Sequence, residues 1–222
     1  MERSLLDTRH EAMHISEGVL SAPILAGGAA LALAGTAIGL KRLDQHDVPK
    51  VAVLTATFFV ATLVHVPLGP ASIHLVLNGL VGLVLGWACF PAILVALLLQ
   101  AVFFQYGGLT VLGVNTVIMA LPALVCFLLL SPLIRRTGKS AAAAAFLAGS
   151  LAILGSGALA AGSLAMTGQA FVPAAKTILA AHVPVMILEG IITAVIIGFL
   201  KTVRPEMLTE SRFPLTKEDD QP

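Results

Sequence analysis

The sequence predicts an all-α polytopic membrane protein with about seven transmembrane helices, an N-terminus outside the cell and a C-terminus in the cytoplasm. Of the 222 residues, 58% are hydrophobic and only 11% are charged, whereas soluble domains carry roughly 25% charged residues. Glycine is plentiful and aromatic residues are few, which is typical of helices that pack closely through small side chains. A net charge of +1 offers no basic surface for nucleic acid. We therefore expect a multi-pass protein of the cell (inner) membrane.

Three regions differ in composition. Residues 1–12 are a polar, charged extension without the apolar core of a signal peptide. Residues 13–203 hold the apolar runs and form the predicted transmembrane domain, and residues 204–222 form a polar, proline-containing cytoplasmic tail. The two cysteines, Cys89 and Cys126, lie in apolar runs and far apart. Their spacing matches no metal or redox motif, so we expect both to be small buried hydrophobic residues.

The spans follow from the apolar runs, because about 20 apolar residues cross a bilayer. Pro23 suits the first turn of the first helix, where its missing N–H costs nothing. The third and fourth spans are short, so we expect them to be shielded by neighbouring helices. A Pro/Gly loop is expected over residues 65–73. The predicted spans are residues 21–40, 51–64, 75–88, 91–104, 109–130, 141–166 and 177–200.

Small residues recur four apart along the first span. Ala26, Ala30 and Ala34 form one such series, and Gly35 and Gly39 form another. This spacing lets a second helix approach closely. The neighbour could be a helix of this chain or a helix of a partner subunit.

The orientation follows from the basic residues, which favour cytoplasmic loops. The loops at residues 65–73 and 105–108 contain no lysine or arginine and are expected outside. This assignment places His14, His65, His74 and Tyr106 together on the outer side. The basic residues that mark the cytoplasmic side are Lys41, Arg42, Lys50, Arg135, Arg136, Lys139, Lys201 and Arg204.

Two histidines at the edges of apolar segments suggest a metal site, because an imidazole at membrane depth is costly and needs a reason. In a chain that began at Met13, the free amine, the His14 amide nitrogen and the His14 imidazole could form two fused chelate rings around one cation. His74 could supply a fourth nitrogen. A planar set of nitrogens suits Ni(II), Cu(II) or low-spin Co(II) better than zinc or magnesium.

Several segments resemble the CbiM/NikM family, the substrate-capture (S) components of energy-coupling-factor (ECF) transporters for cobalt and nickel. The similarity extends over roughly residues 13–200. The loop before His74 departs from the family's usual proline and double-glycine form. The matching segments are MHISEGVLS from Met13, Asp47-Val48-Pro49, VPLGPASIH ending at His74, Tyr106-Gly107-Gly108, LGVN ending at Asn115, and Ala181-His182 with Glu189-Gly190.

The resemblance implies a helical membrane protein whose N-terminus folds into a central pocket. Met13, His14 and His74 would hold Co(II) or Ni(II) as the transported substrate, with no organic cofactor. The metal would supply cobalamin biosynthesis or nickel enzymes. Met13 has a free amine only if translation starts there or the chain is trimmed, which we expect; a modified site using His10 is the alternative.

The resemblance also implies partner proteins. These are a coupling transmembrane (T) subunit and ATPase (A) subunits, with a small accessory membrane subunit as a further candidate. The sequence has no P-loop, so ATP hydrolysis would belong to separate subunits and this chain would not be an enzyme.

Other polar residues could support the ligands from a second layer. His182, Met186 and Glu189 share one face of the last predicted span, and a carboxylate within a membrane must be protonated or paired. Glu189 and His182 could orient ligand histidines or serve as polar ties between helices. Asn115 could orient the site because the turn before it faces outward. Glu17 could hold the N-terminal segment or act on the first helix dipole.

Two other functions fit parts of the sequence. His74 and Asn78 have the HxxxN spacing of CAAX-type intramembrane proteases, with Glu189 as a candidate base, although the paired-glutamate motif is absent. An S component for an organic micronutrient is the second alternative. Such a pocket needs aromatic and polar walls, and this chain has one tryptophan and one tyrosine.

Overall fold

The computed structural model describes residues 15, 17–68, 71–136 and 138–209. Eight α-helices and one two-stranded sheet are found in these ranges. Short 3-10 turns connect some of them, at Gln45–Asp47, Gly86–Ala88 and Gln169–Phe171. In chain order the elements are α1 (Ala22–Lys41), α2 (Val48–Leu63), β1 (His65–Leu68), β2 (Ala71–His74), α3 (Asn78–Leu85), α4 (Cys89–Phe104), α5 (Leu112–Ile134), α6 (Lys139–Thr167), α7 (Val172–Val203) and α8 (Glu206–Thr209).

The helices confirm a polytopic membrane protein. Within the described ranges, five helical stretches are long and apolar enough to cross a membrane. The second predicted span corresponds to α2, whose 16 residues fall below the usual crossing length. The number of seven spans and the side of the membrane that each end faces stay predictions. The five stretches are Ala22–Lys41, Asn78–Phe104, Leu112–Ile134, Lys139–Thr167 and Gln169–Val203.

The segment predicted as a loop at 65–73 contains a β-hairpin, so that prediction is wrong. Strands β1 and β2 pair antiparallel, with His65 opposite His74 and Leu68 opposite Ala71. The Pro/Gly signal marks only the connection between the strands, residues 69–70, which lies outside the described residues. Val66 and Ile73, which also pair, are β-branched residues of the kind that favours strands.

The stretch from Asn78 to Phe104 consists of two short helices, α3 and α4, that are joined by a 3-10 turn. The Asn78 side chain reaches the Met119 carbonyl of α5 at 3.1 Å. After the 3-10 turn that begins at Gly86, whose φ is +53°, the Cys89 thiol lies 3.7 Å from the Ala120 carbonyl. The first residues of both helices therefore lie beside neighbouring residues of α5, and whether they form two separate spans stays a prediction.

The small residues of α1 divide between two faces. Gly35 and Gly39 are buried, and a Cβ at Gly39 would come within 2.6 Å of the Trp87 carbonyl. The glycine series therefore packs within the chain. Ala26, Ala30 and Ala34 are exposed on the surface of the described structure.

Polar groups close one end of the helix bundle. The Lys201 ammonium of α7 donates to the Ile134 carbonyl at 2.5 Å and also to the Arg136 carbonyl. These are carbonyls at the end of α5 that lack partners within the helix. Arg136 and Lys201 were both predicted to mark the cytoplasmic side, and the structure places them at the same end of the bundle.

Both cysteines lie in the interior of the protein. Cys89 and Cys126 are free and buried, which confirms their prediction as buried hydrophobic residues.

The first part of the polar tail forms α8, where the partly buried Met207 and Leu208 pack on the core. Contact of these two apolar side chains with the core explains why this part of the tail is helical.

Candidate metal centre

The predicted metal ligands lie at the edges of the part of the chain that the structure describes. Met13 and His14 lie outside the described residues, and so does the side chain of His74. The backbone of His74 ends strand β2, and Ile15, the residue after His14, is described and 6% exposed. The candidate site is therefore described through the side chains that form hydrogen bonds with the backbone next to each predicted ligand.

Asn115 holds the backbone of Ile15. The Ile15 N–H donates to Asn115 Oδ1 at 3.2 Å, and Asn115 Nδ2 donates to the Ile15 carbonyl at 3.2 Å. Asn115 lies in the first turn of α5 and is 3% exposed. The Asn115 side chain thus pairs with both the N–H and the carbonyl of Ile15. It fixes the position of this segment in the way that hydrogen bonds from a neighbouring β-strand would.

Glu17 makes a second attachment of the same segment. Its Oε1 accepts a hydrogen bond from the Thr110 backbone N–H at 2.9 Å. This bond is the main reason that the pKa of the Glu17 carboxyl lies below its ordinary value of 4.5. Gly108 adopts a φ of +117°, and a Cβ there would overlap the Glu17 side chain at Cγ. Glycine is therefore required at this position both by the backbone conformation and by the closeness of Glu17.

Glu189 holds the backbone just after the hairpin. Its carboxylate on α7 accepts hydrogen bonds from the Val76 N–H and from the Leu77 N–H, the latter at 3.0 Å from each oxygen. Glu189 is fully buried, with 0% exposure. Leu77 has a left-handed backbone, with φ of +56°. The carboxylate thus satisfies two amides at the start of α3 that have no partner within the helix.

Asn78 adds a third connection at the same point. Its Nδ2 donates to the Met119 carbonyl at 3.1 Å and to Ser156 Oγ at 2.9 Å, while its Oδ1 accepts from the Gly79 N–H at 2.9 Å. The residues that follow the hairpin are therefore tied to α5, α6 and α7. An amide with 0% exposure needs such partners, because a buried polar group without them is costly.

Helix α5 brings the two attachments close together. Asn115 holds the N-terminal segment, and Met119 receives the residue at the start of α3. Positions four apart lie on one face of a helix, separated by about 6 Å along its axis. One strip of α5 thus locates both the residue after His14 and the chain after His74.

His182 lies elsewhere on α7. Its Nδ1 is 2.7 Å from the Ile178 carbonyl, and its ring packs on Gly157 of α6, where a Cβ would lie 2.7 Å from His182 Cγ. The ring is 3% exposed. These contacts are those of a packed histidine that is bonded within its own helix, and its predicted role behind a metal ligand stays a prediction.

The spacing that suggested a protease has no helical basis. Asn78 is the first residue of α3, while His74 is the last residue of β2. The two residues therefore do not lie one turn apart on a helix. The carboxylate of Glu189, the candidate base, accepts hydrogen bonds from the backbone amides of Val76 and Leu77. These bonds give Glu189 a structural role.

Sequence reasoning missed the partners that are backbone groups. Thr110, Val76 and Leu77 contribute N–H donors, and nothing in their side chains signals this. The Gly107-Gly108 pair was a usable signal, because glycine at a turn indicates a left-handed backbone or a close neighbour. No comparable signal exists at Leu77, a non-glycine residue with positive φ.

One other group of potential ligands is found in the described part of the chain. Asp44, His46 and Asp47 have ligand atoms within 4.8 Å of one another. Asp47 forms an ion pair with Lys50 at 2.8 Å, and the His46 side chain is 69% exposed. The group follows the C-terminal end of α1 and is remote from Asn115.

Comparisons with known proteins identify the family to which this chain belongs. The sequence profile of the CbiM family, described as a cobalt uptake substrate-specific transmembrane region, matches residues 14–207. A relative from Haemophilus influenzae, provisionally named as a metal transport protein, is 44% identical over 202 residues, which cover 90% of this chain and 98% of the relative. The cobalt transport protein CbiM of Geobacter sulfurreducens is 33% identical over 215 residues, covering 90% of this chain and 62% of that protein.

A nickel protein and a solved structure extend the comparison. The fused nickel transport protein NikMN of Rhodobacter capsulatus is 37% identical over 114 residues, which cover 49% of this chain and 33% of that protein. A crystal structure of a transition metal transporter has a TM-score of 0.67 and 25% identity, covering 86% of this chain and 93% of that chain. This chain therefore belongs to the CbiM family of cobalt and nickel transport proteins.

Proposed function

We propose that this protein is the substrate-binding component of an ECF-type transporter and captures Co(II) or Ni(II) from the outer side of the membrane. The ion is the transported substrate, and the proposed ligands are Met13, His14 and His74. The protein performs no catalysis of its own. The ion would then be delivered inward for cobalamin biosynthesis or for nickel enzymes.

The convergence of two chain segments on α5 is the observation that supports this function most directly. Asn115 bonds the residue after His14, and Met119, one turn along, receives the chain after the hairpin. The two predicted histidines are more than 50 positions apart in the sequence. The backbone segments next to these two histidines are nevertheless held by residues on one face of α5.

The chemistry of the ligands suits late divalent transition metals. In a chain processed to begin at Met13, the amine, the His14 amide nitrogen and two imidazoles provide nitrogens alone. Such a set favours Ni(II) and Co(II) over calcium or magnesium, which prefer oxygen. The imidazoles must be neutral to bind, so capture should weaken as the pH falls below about 6.5.

The exposed face of α1 supports the proposed partners. Ala26, Ala30 and Ala34 form a flat strip of small side chains on a helix that is otherwise apolar. Small residues allow close approach of another membrane helix. We propose that the coupling T subunit packs there and that the ATPase A subunits act through it. Loss of co-purification with the T subunit in Ala30→Leu, with metal binding retained, is expected.

The decisive experiment compares histidine variants of the purified full chain. His14→Ala and His74→Ala should each abolish stoichiometric Ni(II) and Co(II) binding, measured by calorimetry and metal analysis, while circular dichroism and thermal unfolding stay unchanged. His46→Ala is the matched control and should bind normally. Intact mass of the same preparation reports whether the chain begins at Met13. Full metal binding by either of the first two variants would refute the proposed site.

A further inference from the structure

The connection between the hairpin and α3 is unusual because a residue on a distant helix determines it. Three residues, 75–77, separate the end of β2 from the start of α3. Two of them direct their backbone N–H groups at the carboxylate of Glu189, which lies 112 residues beyond Leu77 on α7. The contact does not depend on the side chains at 76 and 77.

This contact fixes the direction of the chain as well as its place. Two N–H donors from successive residues converge on one carboxylate, and both oxygens lie 3.0 Å from the Leu77 nitrogen. Leu77 itself has a left-handed backbone, with φ of +56°, which sets the direction in which the chain leaves these two amides. A non-glycine residue keeps this conformation only where its surroundings hold it there.

The part of α7 that carries Glu189 packs tightly on α6. A Cβ at Gly149 of α6 would lie 2.7 Å from the Glu189 carbonyl and 2.6 Å from Thr193 Oγ1. The backbone of α7 therefore approaches α6 more closely than a side chain at 149 would permit. The end of the hairpin is thus attached to the closely packed pair of α6 and α7.

We propose that Glu189 is a positioning residue for the hairpin ligand. By holding the amides of Val76 and Leu77, it sets where the backbone of His74 lies relative to the N-terminal segment on α5. The proposal rests on the proposed role of His74 as a ligand. It differs from a direct contact with a ligand histidine, because Glu189 acts through the peptide backbone.

The expected effect follows from the geometry of coordination. His74 and Val76 are two residues apart, so their Cα atoms are separated by at most about 7 Å. A shift of the Val76 and Leu77 amides would therefore move His74 by a similar distance. Metal–ligand distances must be kept within about 0.2 Å, and loss of residues that orient ligands costs about 10- to 100-fold in metal affinity.

The test uses Ni(II) with the full chain in detergent. Glu189→Gln replaces one acceptor oxygen by a donor where two N–H groups converge, and Glu189→Ala removes both acceptors. We expect Ni(II) affinity to fall about tenfold in the first and up to 100-fold in the second, with a changed d–d absorption band of the bound ion. Thr202→Val, an exposed position near the other end of α7, is the control and should change neither quantity.

The outcomes separate this proposal from the proposed function. Unchanged affinity and an unchanged d–d band in Glu189→Gln, together with lost binding in His74→Ala, would overturn the positioning role and leave the function standing. Full binding by His74→Ala would overturn both. If Glu189→Ala does not fold, Glu189→Gln decides the question. A lower unfolding temperature with an unchanged band would show a purely structural role and would also overturn the proposal.

Discussion

The side-chain amide of Asn115 is bonded to both backbone polar groups of Ile15, with each contact at 3.2 Å. A donor and an acceptor are needed at once, and the asparagine side chain provides both in one planar amide group. Because both residues are buried, the pair fixes how the N-terminal segment enters the bundle.

Asn115→Ala should weaken Ni(II) binding by about 10- to 100-fold, because leaving buried donors and acceptors unpaired costs about 1–3 kcal/mol. Asn115→Asp keeps the acceptor for the Ile15 N–H and should lie between the alanine variant and the native protein. Calorimetric titration measures the effect. Gln45→Ala removes an exposed amide at the other end of α1 and should bind normally; equal affinities for Asn115→Ala and Gln45→Ala would contradict the prediction.

Gly108→Ala should reduce both stability and metal affinity. The position has a φ of +117°, and the added Cβ would overlap Glu17 Cγ, so Glu17 must move. The backbone strain alone should cost roughly 1–2 kcal/mol. Thermal unfolding and Ni(II) titration together measure the two effects.

Gly138→Ala is the matched control for this strain. Gly138 also has a positive φ, +79°, but no described atom lies within 4 Å of the place that an added Cβ would take. The variant should therefore lose stability without losing Ni(II) affinity. Equal affinities for the two alanine variants would show that the Glu17 contact has no influence on the site.

The contact between Glu17 and Thr110 should depend on pH only under acidic conditions. The pKa of Glu17 is lowered from 4.5 mainly by the Thr110 backbone N–H, so the carboxylate is favoured in the folded protein. Its contribution to stability is fully present above the ordinary value and is lost as the pH falls through the lowered one. Hydrogen exchange of the Thr110 amide should therefore stay protected between pH 7 and about pH 5 after correction for the intrinsic rate.

Glu17→Gln separates this contact from protonation of the metal ligands. The variant loses the charge-assisted bond, so Ni(II) affinity should fall at every pH. The fall should be by a similar factor at each pH above about 5, because in both proteins the change of Ni(II) affinity with pH reflects protonation of the imidazoles. A Ni(II) affinity whose dependence on pH in this range differs in shape from that of the native protein would contradict the assignment.

Lys201→Met should destabilise the bundle without changing the metal site. Lys201 donates to the Ile134 carbonyl at 2.5 Å and to the Arg136 carbonyl at the end of α5. Hydrogen bonds from charged groups contribute about 1.5–3 kcal/mol, and partial exposure places the expected loss at the lower end. Lys176→Met, an exposed position on the same helix, should be neutral. A loss of Ni(II) affinity in Lys201→Met would show that the two ends of the bundle are coupled.

The helices and their approximate limits could be predicted because the signal is local. Apolar runs predicted α1 and α5 to α7, and the short runs around Trp87 predicted two short helices, which the structure confirms. The hairpin was missed because strand pairing depends on which residues meet, and the Pro/Gly signal at its tip also suits an open loop. Glu189 was expected to be paired or protonated, but its partners could not be identified from the sequence.

The sequence by itself determined that this protein lies in a membrane, that small residues bring its helices together, and that histidines border the ends of its apolar segments. These properties depend on composition and on short-range order, which can be read along the chain. Only the tertiary structure decided that Asn115 holds Ile15 and that Glu189 holds Val76 and Leu77. Those contacts join residues about 100 positions apart through backbone N–H and carbonyl groups, which every residue type except proline carries and which no pattern of side chains can reveal.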